Sequence, residues 1–343
     1  MKIGVLGAGS LGMIHGALLA KAGYDVTLID INEQHVEALK KDGAKITGLY
    51  EEIIPVKAAL STDITEVFDL ILLHTKQMHM LQALNDVEKC INDKTMIVTL
   101  QNGIPEEKVA AKYGDKVIGG TVFHGARYIE PGVSELTTNF EAMHIYIGEL
   151  TGKITERILM IQEIMNNICR IDVTSDILSI KWTKLIMNAA LSGVSAALGC
   201  TFGEAGENEK SLMSMIYICK EGAEIMQAKG LQAINMEGFF PSVENFTFKT
   251  VQELQCIKNN MIALIRLSFN EIASMLQDIR MGRKECEVQE INGEIVKEGK
   301  KYGILVPFNE KVVELVTKII SGEMKPILEN INEFPLELKN NYL

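Results

Sequence analysis

"GVLGAGSLG", residues 4–12, and "TLID", residues 27–30, decide how this chain is built. Residues 2–7 are a short apolar run, Gly7 to Gly12 a glycine-rich turn, and residues 11–22 carry helical periodicity ending near Gly23. A β-branched run, 25–30, comes next. Strand, turn, helix, strand is a βαβ unit. Its turn, Gly7-Ala8-Gly9-Ser10-Leu11-Gly12, satisfies G-x-G-x-x-G, a weak signal alone and a strong one between a strand and a helix. Gly7 permits the tight turn, Gly9 lets backbone approach a pyrophosphate, and Gly12 lets helix and strand pack closely. The free N–H groups and partial positive charge of the helix N-terminus favour phosphate. All six residues are expected to hold a dinucleotide. Asp30, ending the next strand, is expected to accept from the ribose 2′-OH and repel a 2′-phosphate. Residues 31–34 offer no Arg or Lys, which favours NADH, and a basic residue from a distant loop would readmit NADPH.

The alternation of strand and helix continues. Runs at 67–76, 96–103, the start of 116–132 and 169–174 read as strands, with helices around 78–91 and over 156–168. ELTTN and MHIYIGE, within 135–149, read as a hairpin pair. The pattern predicts an α/β Rossmann domain with a mostly parallel sheet over residues 1–174. Beyond it strand-like runs nearly vanish, and helical periodicity occupies 177–199, 210–229, 243–282, 286–302 and 309–320. Residues 175–343 are therefore expected to be an all-α domain. The long run at 243–282 offers a surface for a homodimer, and core packing accounts for it equally well.

Bulk properties narrow the partners. A formal net charge of −11 without a basic run argues against nucleic acid or an anionic membrane. Six scattered cysteines with no C-x-x-C pair fit reduced thiols in a cytoplasmic protein. The uncharged stretch Leu185 to Phe202 is broken by Asn188, Ser192, Gly193, Ser195 and Gly199, and reads as a buried helix rather than a membrane span. The six histidines show no metal-ligand spacing. His79 and His124 read as hydrogen-bonding neighbours of a site.

In the 177–199 helix, Lys184, Asn188 and Ser192 recur every four residues and share one face of an otherwise apolar segment. Trp182 beside them is core or a packing anchor. Later, SMLQDIRMGRKECEVQEING (274–293) sets Ser274 and Asp278 one turn apart and carries Glu285, Glu287 and Glu290. By pattern alone most of these acids face solvent.

Together GAGSLG, LHTK (73–76), LQNG (100–103), GGTVFHGA (119–126), W-x-K-x-x-x-N (182–188), SMLQD (274–278) and E-x-x-x-ING (287–293) resemble the ketopantoate reductase family, in order and over nearly the whole chain. The resemblance implies an active site in a cleft between the domains and NAD(P)H-dependent reduction of a 2-oxo acid, ketopantoate first. It implies that Lys184 is the general acid, and that Glu287 binds the substrate hydroxyl, balances Lys184 and lies beside the cofactor. Asn102, Asn188, Ser192 and Ser274 are implied at the substrate, and Lys76, Asn102 and Ala126 at the cofactor. Four positions depart from the family pattern: Asp30 where many members have a basic residue, Ser192 for an asparagine, Gln289 for an aspartate, and Lys76-Gln77-Met78-His79 for K-A-x-Q. These leave open an NAD-dependent D-2-hydroxyacid dehydrogenase acting on mandelate-like or branched acids. More distant is a redox sensor that binds nucleotide without turnover.

Overall fold

The computed structural model describes residues 1–235 and 241–335. β1 (Lys2–Leu6) leads through the glycine turn into α1 (Ser10–Lys21) and β2 (Asp25–Asp30). Then come α2 (Glu33–Asp42), β3 (Ala44–Gly48), β4 (Glu52–Ile54), β5 (Lys57–Leu60), β6 (Leu70–Leu73), α3 (Gln77–Asp86), β7 (Met96–Thr99), α4 (Glu106–Tyr113) and β8 (Val117–Val122). β9 (Ala126–Glu130), β10 (Val133–Leu136), β11 (His144–Glu149), α5 (Glu156–Met165) and β12 (Arg170–Val173) follow. Contacts divide the chain into two units at Leu178/Ser179, near the start of α6 (Ile177–Leu198).

In the first unit the main sheet has the order β12-β11-β8-β7-β6-β1-β2-β5. From β8 to β5 every pairing is parallel, as the βαβ pattern requires, and β11 joins antiparallel to β8. Strand alternation feeds two cores. Ile3, Val5, Leu28, Leu70 and Leu72 pack on the face with Met13, Ile14 and Ala17 of α1 and Ile158 and Ile161 of α5. Leu6, Ile29, Ile71, Leu73 and Ile97 pack on the other, with Met80 and Leu84 of α3 and Val109 of α4. Burial on both faces explains why these strands read as nearly continuous apolar runs. The turn after β1, like the ends of β2, β6, β7 and β8, lies at the carboxyl edge of the parallel strands, the edge where open α/β sheets bind ligands.

The expected hairpin within 135–149 does not form. β10 enters a second, four-stranded sheet ordered β4-β3-β10-β9, pairing parallel with β3 and antiparallel with β9. β11 instead continues the main sheet. A 3-10 turn, Phe140–Ala142, falls in the link between the two sheets. The second sheet packs toward α1, where Ser134 Oγ lies 3.8 Å from Met13 Sδ. Its strands β3 and β4, and β5 of the main sheet, escaped the sequence reading, being three to five residues long and of mixed polarity.

The second unit adds α7 (Phe202–Glu207), α8 (Glu209–Ala228), α9 (Val243–Phe246), α10 (Val251–Leu267), α11 (Ser274–Arg280), α12 (Asn292–Tyr302) and α13 (Pro307–Ile320) to most of α6. The expected helix at 243–282 is three helices. Thr250 and Glu253 form a capping box that starts α10. Past its end, the carbonyls of Phe269 and Glu271 accept the Gly203 and Phe202 N–H groups at 2.9 and 3.1 Å. The backbone there satisfies the start of α7 instead of continuing a helix. Residues 286–291, expected as helix, form the turn into α12. Among the described residues, no helix is long and apolar enough to cross a membrane.

Candidate active site

The side chains singled out in the sequence fall into two sets, one in each unit. In the first unit, Gly7 has φ +93°, a conformation that glycine adopts without strain. Its N–H and that of Ala8 both donate to the Ile29 carbonyl, at 2.9 and 3.1 Å. The end of β2, with Asp30 next in line, is thereby tied to the turn. A Cβ on Gly12 would lie 2.1 Å from the Gly7 carbonyl oxygen, so helix and strand touch here, whereas a Cβ on Gly9 would meet nothing within 4 Å. Gly9 caps α1 without a side-chain hydrogen bond, and no acid occupies the first turn, where Ser10 and Leu11 are half-buried. This cradle fits a pyrophosphate: open at Gly9, with helix N–H groups left uncapped and no negative charge against them.

Asp30 is half-buried, and its Oδ1 accepts from the N–H groups of Ile31 and Asn32 at 2.8 and 3.0 Å. One carboxylate oxygen thus braces the loop, and Oδ2 makes no hydrogen bond to the described residues. Lys76 caps α3 at the end of the β6 segment. Gln77, 5% exposed, donates from Nε2 to the Asn102 carbonyl at 2.6 Å, which joins the Lys76 and Asn102 segments. Ala126 opens β9 and pairs with Leu136.

Histidines brace the same carboxyl edge. His15, fully buried on α1, makes hydrogen bonds to His74 (Nδ1 to Nε2, 3.2 Å) and to His124 (Nε2 to Nε2, 2.7 Å). Burial, and then the neighbouring imidazoles, push the His15 pKa well down. Burial, helped by His124, takes His74 to about 3. His15 and His74 are therefore neutral near pH 7. The sequence reading picked out His124 here and passed over His15, inside the apolar helix α1, and His74, just past the end of β6, because neither position leaves a periodic trace.

In the second unit α6 carries Lys184 and Asn188, half-buried, and Ser192, buried; Ser192 Oγ donates to Asn188 Oδ1 at 3.3 Å. Trp182 is 1% exposed, with Lys229 Nζ 5.1 Å from its ring centroid and Glu298 in turn 2.6 Å from Lys229. It is both core and anchor for α6. Burial, then the like charge of Lys181 one turn back, lower the Lys184 pKa to about 7, against the opposing pull of Glu287. Glu287 is 8% exposed, contrary to the surface expectation for these acids, which Glu285 does meet.

The segment bearing Glu287 is fastened by a residue the sequence reading passed over. Asn292, fully buried, donates from Nδ2 to the Ala189 carbonyl of α6 at 3.1 Å and to Asn309 Oδ1 of α13 at 3.0 Å. Glu221 of α8 closes this network by accepting the Phe308 and Asn309 N–H groups at 2.9 and 3.0 Å. Gly193 supplies the space, since a Cβ there would lie 2.7 Å from Asn292 Oδ1. The E-x-x-x-ING motif is thus a carboxylate and its anchor. Ser274, exposed, begins α11 and makes no hydrogen bond to Lys184, Asn188 or Ser192 among the described residues. Asp278 pairs with Arg283 at 2.7 Å.

A Rossmann unit with an open dinucleotide turn, followed by a helical unit carrying a lysine under the field of a buried glutamate, defines a nicotinamide-dependent oxidoreductase. Comparison with known proteins sharpens the class. The chain belongs to the ketopantoate reductase family: the family model "Ketopantoate reductase PanE/ApbA" matches residues 3–152, and its C-terminal counterpart matches residues 176–319. A 2-dehydropantoate 2-reductase of Pyrococcus horikoshii is 33% identical over 310 residues, 90% of this chain and 94% of that protein. One from Archaeoglobus fulgidus is 28% identical over 322 residues, 94% and 98% of the two chains. Among solved structures, D-mandelate dehydrogenase with NADH and anilino(oxo)acetate superposes with a TM-score of 0.81 at 22% identity, covering 94% of this chain and 99% of that one. The 2-dehydropantoate 2-reductase of Geobacter metallireducens does so with 0.76 at 24%, covering 93% and 99%. At these identities the structures speak for the fold.

Proposed function

We propose that this protein reduces 2-dehydropantoate to pantoate, with NADH preferred over NADPH. The observation that carries the reaction type is Lys184, whose ammonium is held near a pKa of 7 by burial and Lys181. A group poised there gives up a proton readily at neutral pH and is recharged by water. A bound nicotinamide supplies the hydride. Lys184 delivers the proton to the substrate's keto oxygen, so that no free alkoxide has to form. Glu287 keeps Lys184 from losing its charge altogether and takes the substrate hydroxyl. Asn188 and Ser192 border the same face of α6, and Ser274 offers its hydroxyl at a helix start to the substrate carboxylate. The choice of substrate rests on the curated relatives, and the free cysteines support a reducing, cytoplasmic setting.

Because the lysine must be protonated to act, reduction should be fastest below its pKa. Log kcat/KM for the 2-oxo acid is expected to be flat below about pH 7 and to fall by one per pH unit above it. A profile flat to pH 9 would remove Lys184 from the proton-transfer step.

Asp30 carries the cofactor preference. One oxygen is already engaged by the loop, and the other is free to accept from a ribose hydroxyl and to repel a phosphate. Asp30→Ala should weaken NADH binding and narrow its advantage over NADPH, as measured by paired titrations. A wild-type protein that prefers NADPH contradicts this role.

A second reading is an NAD-dependent D-2-hydroxyacid dehydrogenase. Asp30 and the short Ser192 side chain favour it. Initial rates with 2-dehydropantoate, phenylglyoxylate and 2-oxoisocaproate, each with NADH and NADPH, separate the two. A much lower kcat/KM for 2-dehydropantoate than for either rival sinks the first reading.

A further inference from the structure

Ala8 lies between the first two glycines of the turn, fully buried, and its carbonyl is already taken. The Nε2 atom of His35, on α2, stands 2.6 Å from it. The other ring nitrogen, Nδ1, is 2.9 Å from the N–H of Gly132, between β9 and β10. A carbonyl only accepts and a backbone N–H only donates. These partners leave His35 a single form: Nε2 carries the proton and donates to Ala8, and bare Nδ1 accepts from Gly132. The ring is 1% exposed and lies against Tyr128, 5.3 Å between centroids. Its backbone is set by Asn32, which caps α2 by accepting the His35 N–H at 3.1 Å.

Peptide planarity carries this to the turn. In a trans peptide the C=O and the following N–H point to opposite sides. With the Ala8 carbonyl drawn inward to His35, the Gly9 N–H points away from it. Gly9 is also where the turn is open, since a Cβ there would meet nothing within 4 Å. We propose that His35 is a positioning residue for the dinucleotide: as a neutral Nε2–H imidazole it holds the Ala8 carbonyl inward and so aims the Gly9 N–H at the cofactor phosphates. This rests on reading the turn as a dinucleotide site. Nothing in G-x-G-x-x-G calls for a histidine at position 35, and a protonated ring would set two donors against each other at Gly132.

His35→Phe keeps the ring and removes both hydrogen bonds; His35→Gln restores a donor for Ala8. By fluorescence titration, the NADH Kd should rise about tenfold in H35F and return to within about threefold of wild type in H35Q. At saturating NADH, kcat and the KM for the 2-oxo acid should stay within about twofold, a split that general loosening of the fold would not produce. Nitrogen-15 NMR of the wild type should show His35 protonated at Nε2 alone. Wild-type affinity in H35F, a loss in kcat instead of affinity, no recovery in H35Q, or an Nδ1–H tautomer would each overturn the proposal. Should H35F fail to fold, the tautomer and the H35Q affinity decide it. A wild-type protein that binds neither NADH nor NADPH overturns the dinucleotide reading itself, an outcome distinct from all of these.

Discussion

Lys184→Ala is expected to lower kcat for 2-oxo acid reduction by at least ~10²-fold, the ordinary scale for a positioned general acid. NADH affinity should hardly change, because the groups read as holding the dinucleotide are the glycine turn and Asp30, which the substitution leaves intact. The lysine lies within α6, whose neighbours Leu185 and Ile186 are buried, so truncating a half-buried side chain leaves the helix packing in place. Lys184→Arg provides the sharper comparison. It keeps the positive charge that attracts a carboxylate, but a guanidinium stays protonated at every accessible pH and is a poor acid. The arginine variant should therefore retain substrate binding and lose turnover and the fall in rate above pH 7. Steady-state kinetics beside NADH titration measure both. An equal loss of cofactor binding in Lys184→Ala would make Lys184 a structural residue.

The other large effect separates two glycines that a motif search treats alike. Gly12→Ala should cost stability and abolish dinucleotide binding, because its Cβ would lie 2.1 Å from the Gly7 carbonyl, a backbone atom that cannot swing aside. Overpacking of this sort costs about 1–3 kcal/mol even where side chains can yield. Gly9→Ala should leave the melting temperature of the apoprotein unchanged, as nothing lies within 4 Å of the added methyl. Its Kd for NADH should still rise at least about tenfold, since the methyl occupies the space a pyrophosphate needs. Thermal unfolding and NADH titration of the two variants are the test. A Gly9→Ala protein that binds NADH normally would mean the open face of the turn is not the phosphate site.

Much of the fold was legible because it is local. Nearly continuous apolar runs buried between two cores, a glycine turn ahead of a helix, and the face shared by Lys184, Asn188 and Ser192 are all visible within a few residues. The errors arose where distant partners intervened. ELTTN and MHIYIGE look like hairpin arms, yet β10 found β3 and β9, and β11 found β8. Residues 243–282 keep helical periodicity, yet the backbone at Phe269 and Glu271 is claimed by the start of α7.

By itself the sequence determined the βαβ cradle, the acid at the end of its second strand and the lysine helix, because each depends on spacing along one element. Only the tertiary structure decided that Glu287 is buried with its field on Lys184, that Asn292 anchors its segment, and that His35 turns the Ala8 carbonyl inward. Those are single hydrogen bonds and charges acting between residues tens of positions apart. Such pairings have no period, and they exist only once the cores have brought the elements together.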